Sequence, residues 1–230
     1  MSEVWVVPGV LGSSNPVLWH QLLSGLLGGI VASLMAWALV FKVFIPRVEF
    51  SDHIGKSKTR SRVDGSEWEY RVKIANVGRR PVVDVTILAR LVFPNALPGR
   101  TSTLGLALSG FGHEALKVAC LYPSKRGQSG NRRLLHLSLR GRLDYLKVHD
   151  AFERVRDRVT QGVVTVEDLL QEFSGSYLQI SVFGSDGWSG ARRAVTSKRY
   201  AVADVRRGVF ERTSLRVEVA DVSKSDEMDQ

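Results

Sequence analysis

A 20-residue uncharged run from Leu22 to Phe41 limits what this chain can fold into more than any other feature. As a helix, the run is long enough to cross the hydrocarbon of a bilayer, whereas a helix in a soluble core is rarely apolar all round. A secretory leader would carry a basic segment and a small-residue cleavage site. The first 41 residues contain no Lys or Arg, and Glu3 is their single acid. We therefore expect a retained transmembrane helix at residues 17–45, preceded by an extracytoplasmic segment at 1–16.

Positive charge follows this run and does not precede it. Two basic residues come directly after the run and four more follow shortly: Lys42 and Arg47, then Lys56, Lys58, Arg60 and Arg62. Basic flanks are retained on the cytoplasmic side of a membrane. We therefore expect a single-pass protein of the cell membrane, with its N-terminus outside and the chain beyond Pro46 in the cytoplasm. A basic group close to an anionic leaflet gains about 1 kcal/mol. The candidates for contact with anionic lipid headgroups are Lys42, Arg47, Lys56 and Lys58.

Small residues recur every four positions inside the apolar run. Gly25, Gly29 and Ser33 share this spacing, with Gly28 alongside. One face of the helix is therefore almost free of side chains, which lets a second helix approach closely. The pattern predicts a helix–helix seam, although it also occurs in membrane helices that merely tolerate glycine.

Composition narrows the class of partner. With 230 residues and 44% hydrophobic content, the chain can form one sizeable domain plus an appendage. The net charge of +9 favours an anionic partner, either nucleic acid or an acidic lipid surface. Few aromatic residues lie among the basic ones, whereas proteins that bind single strands pair charge with stacking platforms, so nucleic acid is the less favoured partner. Cys120 is the only cysteine, which excludes an internal disulfide and a thiolate metal site.

Beyond Pro46 the hydrophobic period changes from helical to alternating. Residues 70–93, YRVKIANVGRRPVVDVTILARLVF, alternate apolar and polar side chains in two stretches: Val72, Lys73, Ile74, and then Val83, Asp84, Val85, Thr86, Ile87. The connection NVGRRP carries the turn residues Gly78 and Pro81. This pattern predicts two strands of a half-buried antiparallel sheet. Further short apolar runs separated by turn residues are typical of a β-sandwich: ALKVACLYP, LLHLSLRG, YLQISVFG and SLRVEVA.

Two segments have helical signals instead. In residues 143–159 the apolar side chains fall at spacings of three and four and predict one face of an amphipathic helix: Tyr145, Val148, Phe152, Val155 and Val159. Thr165 and Asp168 have the spacing of a capping box and predict the start of a second, short helix. The expected fold class is thus mainly β, with a cytoplasmic sandwich at 46–217 that contains one or two inserted helices. The acidic end of the chain, 218–230, is expected to be an unstructured tail.

Two stretches of this β-rich part resemble the cytoplasmic domain of the inward-rectifier potassium channel family. The first stretch, residues 50–94, has a Phe-Ser opening, an Asp-Gly turn, an Asn-led turn and a strand ending in the pair Arg90-Leu91. The second stretch, residues 165–210, has a short helix, a central strand and a C-terminal motif similar to Y-x-x-x-[DE]-[IV]-x-x-G-x-x-F. This motif is one residue shorter here and consists of Tyr200, Asp204, Val205, Gly208 and Phe210.

The resemblance implies an immunoglobulin-like β-sandwich, which in these channels forms a four-fold ring below the membrane and couples lipid binding to a gate. In such a domain Tyr200, Gly208 and Phe210 would anchor the end of the sandwich. The channel family binds phosphoinositide headgroups at the junction that Lys42 and Arg47 would occupy. The channel pore itself has no counterpart, because the chain has one apolar run and the filter-like LSGFG at 108–112 begins with Leu and follows that run. We expect LSGFG to be a glycine-rich connection between strands.

The sequence contains no convincing catalytic or metal-binding set. No two of the five histidines are spaced i, i+4, as helical metal ligands would be: His20, His53, His113, His136 and His149. A G-x-S-x-G elbow is also absent from the sequence. We therefore expect no enzymatic activity, no cofactor and no metal.

Three functional hypotheses remain, and the sequence supports two of them better than the third. The first is a single-pass membrane protein whose channel-like sandwich is an interaction or regulatory module that self-associates or docks on another membrane protein. The second is an oligomeric channel or transport subunit whose single helices line a pore. A lining helix needs a polar stripe, and the run and its outer end offer His20, Gln21, Ser24 and Ser33. The first hypothesis is therefore preferred. A membrane-tethered nucleic-acid binder rests on charge alone.

Overall fold

The computed structural model of the chain describes residues 16–43, 47–58, 67–108, 114–124, 132–139, 141–211 and 214–219. Four predictions lie wholly or largely outside these residues: the segment before the helix, the Asp-Gly turn at 64–65, the LSGFG connection and the acidic tail. The chain divides into two compact units, Met1–Ile45 and Pro46–Gln230. The described secondary structure is mainly β, with one apolar helix near the N-terminus.

The N-terminal unit contains one long helix, α1 (Pro16–Val43, 28 residues). Its segment Trp19–Ala38 is long and apolar enough to cross a membrane. The side chains described in α1, those of Val17 and Trp19–Ala38, are all exposed. None of these side chains packs into a core.

The second unit is built on eleven strands. They are β1 (Val48–Phe50), β2 (Ile54–Lys58), β3 (Trp68–Asn76), β4 (Val82–Leu97), β5 (Arg100–Leu108), β6 (Ala115–Leu121), β7 (Arg132–Ser138), β8 (Tyr177–Asp186), β9 (Arg192–Thr196), β10 (Val205–Phe210) and β11 (Val217–Val219). The strand order is β11-β10-β2-β3-β7-β5-β4-β8-β9, with β1 also paired to β3 and β6 also paired to β4. The strands pair antiparallel except for β10 with β2.

The pairings form two groups of strands around one core. In the first group β3 pairs with β1, β2 and β7, and in the second β4 pairs with β5, β6 and β8. A short pairing of β5 with β7, at Ala107 and Leu108, links them. Ile74 and Leu135 of the first group belong to the same buried cluster as Ile87 and Ile180 of the second. Both groups therefore bury one face against a common interior.

Both strands predicted around NVGRRP are present, as β3 and β4, and the described pairings place them in different groups. Every partner described for β3 lies in the first group and every partner described for β4 in the second. The side-chain amide of Asn76 donates to the carbonyl oxygens of Arg80 (2.7 Å) and Leu121 (2.9 Å), the latter at the end of β6. These bonds fix a connection that passes from one group of strands to the other.

The predicted alternation holds from Asp84 to Ile87 but not at Val83, the second residue of β4. Val82 and Val85 are buried, and Val83 is only half-buried. Asp84 between them has φ +50°, and the register with β8 shifts between Val83 and Thr86. This geometry is that of a β-bulge, which inserts an extra residue and changes which side chains face the core. Aspartate is among the few residues that adopt positive φ readily.

The predicted amphipathic helix is divided into three short pieces. They are α2 (Leu143–Val148), a 3₁₀ helix (Asp150–Val155) and α3 (Arg156–Thr160). His149 has an extended backbone (φ −83°, ψ 123°), and its Nδ1 accepts a hydrogen bond from the N–H of Ala151 (3.2 Å). Phe152, Val155 and Val159 are buried as predicted, but Val148 is 81% exposed because it precedes the break.

The second predicted helix is confirmed as α4 (Val166–Glu172). The hydroxyl of Thr165 accepts a hydrogen bond from the N–H of Asp168 (3.2 Å), and the carboxylate of Asp168 accepts from the N–H of Thr165 (2.8 Å). This is the capping box that the spacing predicted. The described part of the second unit thus holds three short α-helices, more than the one or two expected.

Candidate functional site

The strand pairings gather many strand ends at one end of the β-rich unit. The last residue of β3, Asn76, pairs with Val48 at the start of β1. Val82 at the start of β4 pairs with the last residues of β6 and β8, Leu121 and Asp186. The starts of β7 and β9 lie at the same end, since Arg132 pairs with Ala75 and Arg192 pairs with Ser185.

Arginines are concentrated at this end. Besides the half-buried Arg132, six exposed or half-buried arginines lie at these strand ends and in the turns between them: Arg47, Arg79, Arg80, Arg133, Arg192 and Arg193. Two exposed aromatic side chains accompany them, Trp188 (79% exposed) and Tyr122 (61%). We call these eight residues the arginine end. The carboxylates nearest to it in the strand register are Asp186, which is buried, and the exposed Glu49 and Asp84.

The turn after β3 positions three of these arginines. The N–H groups of Val77 and Gly78 donate to the carbonyl oxygen of Arg47 (2.7 and 3.2 Å). The N–H of Gly78 also donates to Oδ1 of Asn76 (3.0 Å). Asn76 is fully buried, so the turn is fixed from inside while Arg79 is left exposed.

The turn after β8 positions Trp188. Oδ1 of Asp186 accepts hydrogen bonds from the N–H groups of Trp188 (2.9 Å) and Ser189 (2.8 Å), and Nη1 of Arg80 lies 3.5 Å from it. The guanidinium of Arg80 sits 4.5 Å from the centre of the Trp188 ring, a cation–π contact. Burial alone would raise the pKa of Asp186, but these hydrogen bonds and the Arg80 charge lower it below its usual value. The carboxylate is therefore charged at neutral pH and holds both turns.

The predicted lipid-contact residues are not all brought together. Arg47 lies at the arginine end, whereas Lys56 pairs with Tyr70 and Lys58 with Trp68. These partners precede Asn76 on β3 by six and eight residues, or about 20 and 26 Å along a strand. Lys42 lies in α1, and its side chain is outside the described set.

Lys56 belongs to a separate cluster of charged and aromatic groups. Its ammonium is ion-paired with Glu167 and lies 4.4 Å from the centre of the Trp68 ring. Arg207 lies 5.2 Å from the same ring. The hydroxyl of Tyr70 donates to Glu167 (3.4 Å). The carboxylate of Glu167, on α4, therefore joins that helix to the sheet and neutralises Lys56 locally.

The seam residues lie on an open helix face. A Cβ atom added at Gly25, Gly28 or Gly29 would meet no neighbouring atom within 4 Å, and Ser33 is exposed. The predicted fold anchors occupy three different environments. Tyr200 is fully buried and donates its hydroxyl to the carbonyl oxygen of Ser51 (2.6 Å). Gly208 has φ +152° in the pairing with β11, and Phe210 is half-buried.

Sequence reasoning missed the arginine end because its members come from four distant parts of the chain. The available signals were the turn sequences NVGRRP and GSDGWSG, each with an arginine or an exposed aromatic beside Gly. Within the described part of the chain, no three His, Cys, Asp or Glu side chains are grouped as metal ligands. No protein-family model and no curated protein matches the chain. The arrangement offers charge and aromatic surface for binding.

Proposed function

We propose that this is a single-pass membrane protein in which α1 spans the bilayer and the β-rich unit is a cytoplasmic, immunoglobulin-like sandwich. In this proposal the sandwich is an interaction or regulatory module, and the protein self-associates through α1 or docks on another membrane protein. The proposal depends on one observation, the exposure of all described side chains in an apolar helix of 28 residues.

The energetic argument for insertion is the apolar area of α1. Moving a large apolar side chain out of water is worth about 1.5–3 kcal/mol, and eleven such side chains are at least 49% exposed between Val17 and Trp37. A bilayer buries this surface and leaves every backbone hydrogen bond satisfied within the helix. Two groups of strands around one core support the sandwich.

The structure favours an anchoring or associating helix over a pore-lining helix. The hydroxyl of Ser24 donates back to the carbonyl oxygen of Gln21 (3.0 Å), so it is already paired within the helix. Ser33 is then the main polar side chain left within the central part of α1. Gly25 and Gly29 present an open face beside it, which suits close helix contact more than an aqueous lining.

Insertion can be tested with a charge at the centre of α1. Ile30→Lys should reduce the membrane fraction that resists alkaline extraction, because a central Lys costs about 2.5–3.5 kcal/mol on an insertion scale. Ile30→Leu is the matched control and should remain in the membrane. Extraction of the parent protein by alkali would contradict the proposal.

Self-association is tested by the mass of the full chain in nanodiscs. A dimer or larger assembly is expected, and a monomer at all protein-to-disc ratios would exclude association through α1. A tetramer that conducts ions would favour the channel-subunit hypothesis instead.

A further inference from the structure

We propose that the arginine end of the β-rich unit is a membrane-contact face that lies against an anionic lipid surface. The inference rests on the proposed insertion of α1, and it replaces the scattered set of Lys56 and Lys58 with residues that the strand order brings together.

The length of the connecting chain supports this placement. Only residues 44–46 separate Val43 from Arg47, so the two Cα atoms can be at most about 14 Å apart. The candidate span Trp19–Ala38 ends five residues, or about 7.5 Å of helix, before Val43. Arg47 begins the β-rich unit at the arginine end, where the N–H groups of Val77 and Gly78 hold its carbonyl oxygen. In the proposed topology, eight residues of chain, 39–46, thus join the candidate span to the arginine end.

The chemistry of this end fits lipid headgroups. Six arginines carry positive charge that an anionic leaflet attracts within about a Debye length, roughly 8 Å at physiological salt. Asp186 is buried and already bonded to its own turn and to Arg80. The opposite side of the unit differs, since α2, α3 and α4 lie in the connection from the far end of β7 to the far end of β8.

The aromatic side chains distinguish a membrane from a purely charged partner. Trp and Tyr concentrate at the headgroup level of bilayers, where the ring is apolar and its N–H or O–H stays hydrated. Trp188 is 79% exposed, although its turn is fixed by Asp186 and its ring is contacted by Arg80. Such an exposed yet fixed ring is suited to the interfacial layer.

The test measures how close each end of the unit comes to the lipid. A fluorophore is attached to Val77→Cys at the arginine end, or to Thr101→Cys near the start of β5 at the opposite end, in the full chain carrying Cys120→Ser. The protein is reconstituted in discs that contain a nitroxide-headgroup lipid, with phosphatidylcholine alone or with added phosphatidylserine. We expect quenching at position 77 to be at least about twofold stronger with phosphatidylserine and to weaken at high salt. Quenching of the label at position 101 should change neither with added phosphatidylserine nor with salt.

Charge reversal provides the matched comparison. Arg192→Glu with Arg193→Glu should reduce the ratio of contacting to free protein by on the order of tenfold in phosphatidylserine discs. Arg90→Glu with Arg100→Glu makes the same change in net charge at exposed positions about 26 Å or more along β4 from Val82, so it should leave the quenching unchanged. The comparison of the two lipid compositions uses the protein with all of its arginines. It therefore still tests the proposal if either charge-reversal variant fails to fold.

The outcomes separate this inference from the proposed function. The chain could resist alkaline extraction while quenching at position 77 is independent of phosphatidylserine or no greater than at position 101. In that case the proposed contact face is wrong and the proposed membrane insertion is unaffected. The contact face is equally wrong if both charge reversals reduce the quenching to the same extent. If alkali extracts the parent chain, the proposed function fails and the contact face fails with it.

Discussion

At the scale of single residues, Gly208 is a position where the fold leaves no room for a side chain. Its φ is +152°, and an added Cβ would lie 1.9 Å from the carbonyl oxygen of Glu218 on β11. Gly208→Ala must therefore displace β11 or strain β10, and we expect a loss of about 1–3 kcal/mol of stability. The measurement is the denaturant midpoint of the full chain in detergent, followed by circular dichroism.

Gly105→Ala is the matched control for this substitution. An added Cβ there would meet the side chain of Glu114 at 3.0 Å, but that side chain is 55% exposed and can move. We expect a change of only a few tenths of a kcal/mol, as is usual for surface substitutions. Equal midpoints for the two variants would contradict the tight pairing of β10 with β11.

The lowered pKa of Asp186 predicts that this carboxylate makes a pH-dependent contribution to the stability of the fold. Its pKa is lowered below the usual 3.8 because hydrogen bonds from the turn and the Arg80 charge outweigh its burial. A carboxylate with a lowered folded pKa stabilises the fold fully above its unfolded pKa, and this contribution is lost as the pH falls through the folded pKa. Asp186→Asn keeps an acceptor oxygen but has no charge, so its midpoint should be lower at neutral pH and fall less steeply below about pH 4.

The exposed Asp144 supplies the control for the pH series. Its side chain is 93% exposed and pairs with Lys147 three residues away, a contact of the kind that contributes little. Asp144→Asn should follow the parent profile at every pH. The role assigned to Asp186 is wrong if Asp186→Asn also follows that profile.

At the scale of elements, α1 offers a prediction about association. Gly29→Leu places a bulky side chain on the open face and should weaken self-association of α1 by about 1 kcal/mol or more. Ala38→Leu makes a similar small-to-large change nine residues later, on the opposite side of the helix, and should have little effect. A reporter of helix association in membranes measures both variants. An equal loss of association for the two variants would contradict the predicted helix–helix seam.

The sequence predicted those elements whose signals are local. The uncharged run predicted α1, and the capping box predicted α4, because each depends on residues within one segment. The sequence predicted β3 and β4 as strands but not their places in different groups, because buried contacts of Asn76 with distant Leu121 decide where the turn leads. The bulge at Asp84 and the break at His149 depend on single-residue backbone conformations, which hydrophobic spacing does not report.

At the scale of the whole molecule, the candidate site was the least predictable feature. Arg47, Arg80, Arg133 and Arg192 are brought to one end only by the order and direction of the strands. Sequence proximity to the apolar run suggested Lys56 and Lys58 instead. β2 runs away from Arg47 alongside β3, so proximity in sequence did not become proximity in space.

Orientation is the property of the whole molecule on which both proposals depend. All the basic residues lie C-terminal to the uncharged run, so the β-rich unit should remain in the cytoplasm and the chain before α1 should be outside. In a Cys120→Ser background, Ser13→Cys should react with a membrane-impermeant maleimide on intact cells. Thr101→Cys, exposed in the β-rich unit, should react only after the membrane is permeabilised. Labelling of Thr101→Cys alone on intact cells would show that the topology is the reverse of the proposed one. The arginine end would then face the outer leaflet, where the anionic lipid that it is proposed to contact is scarce.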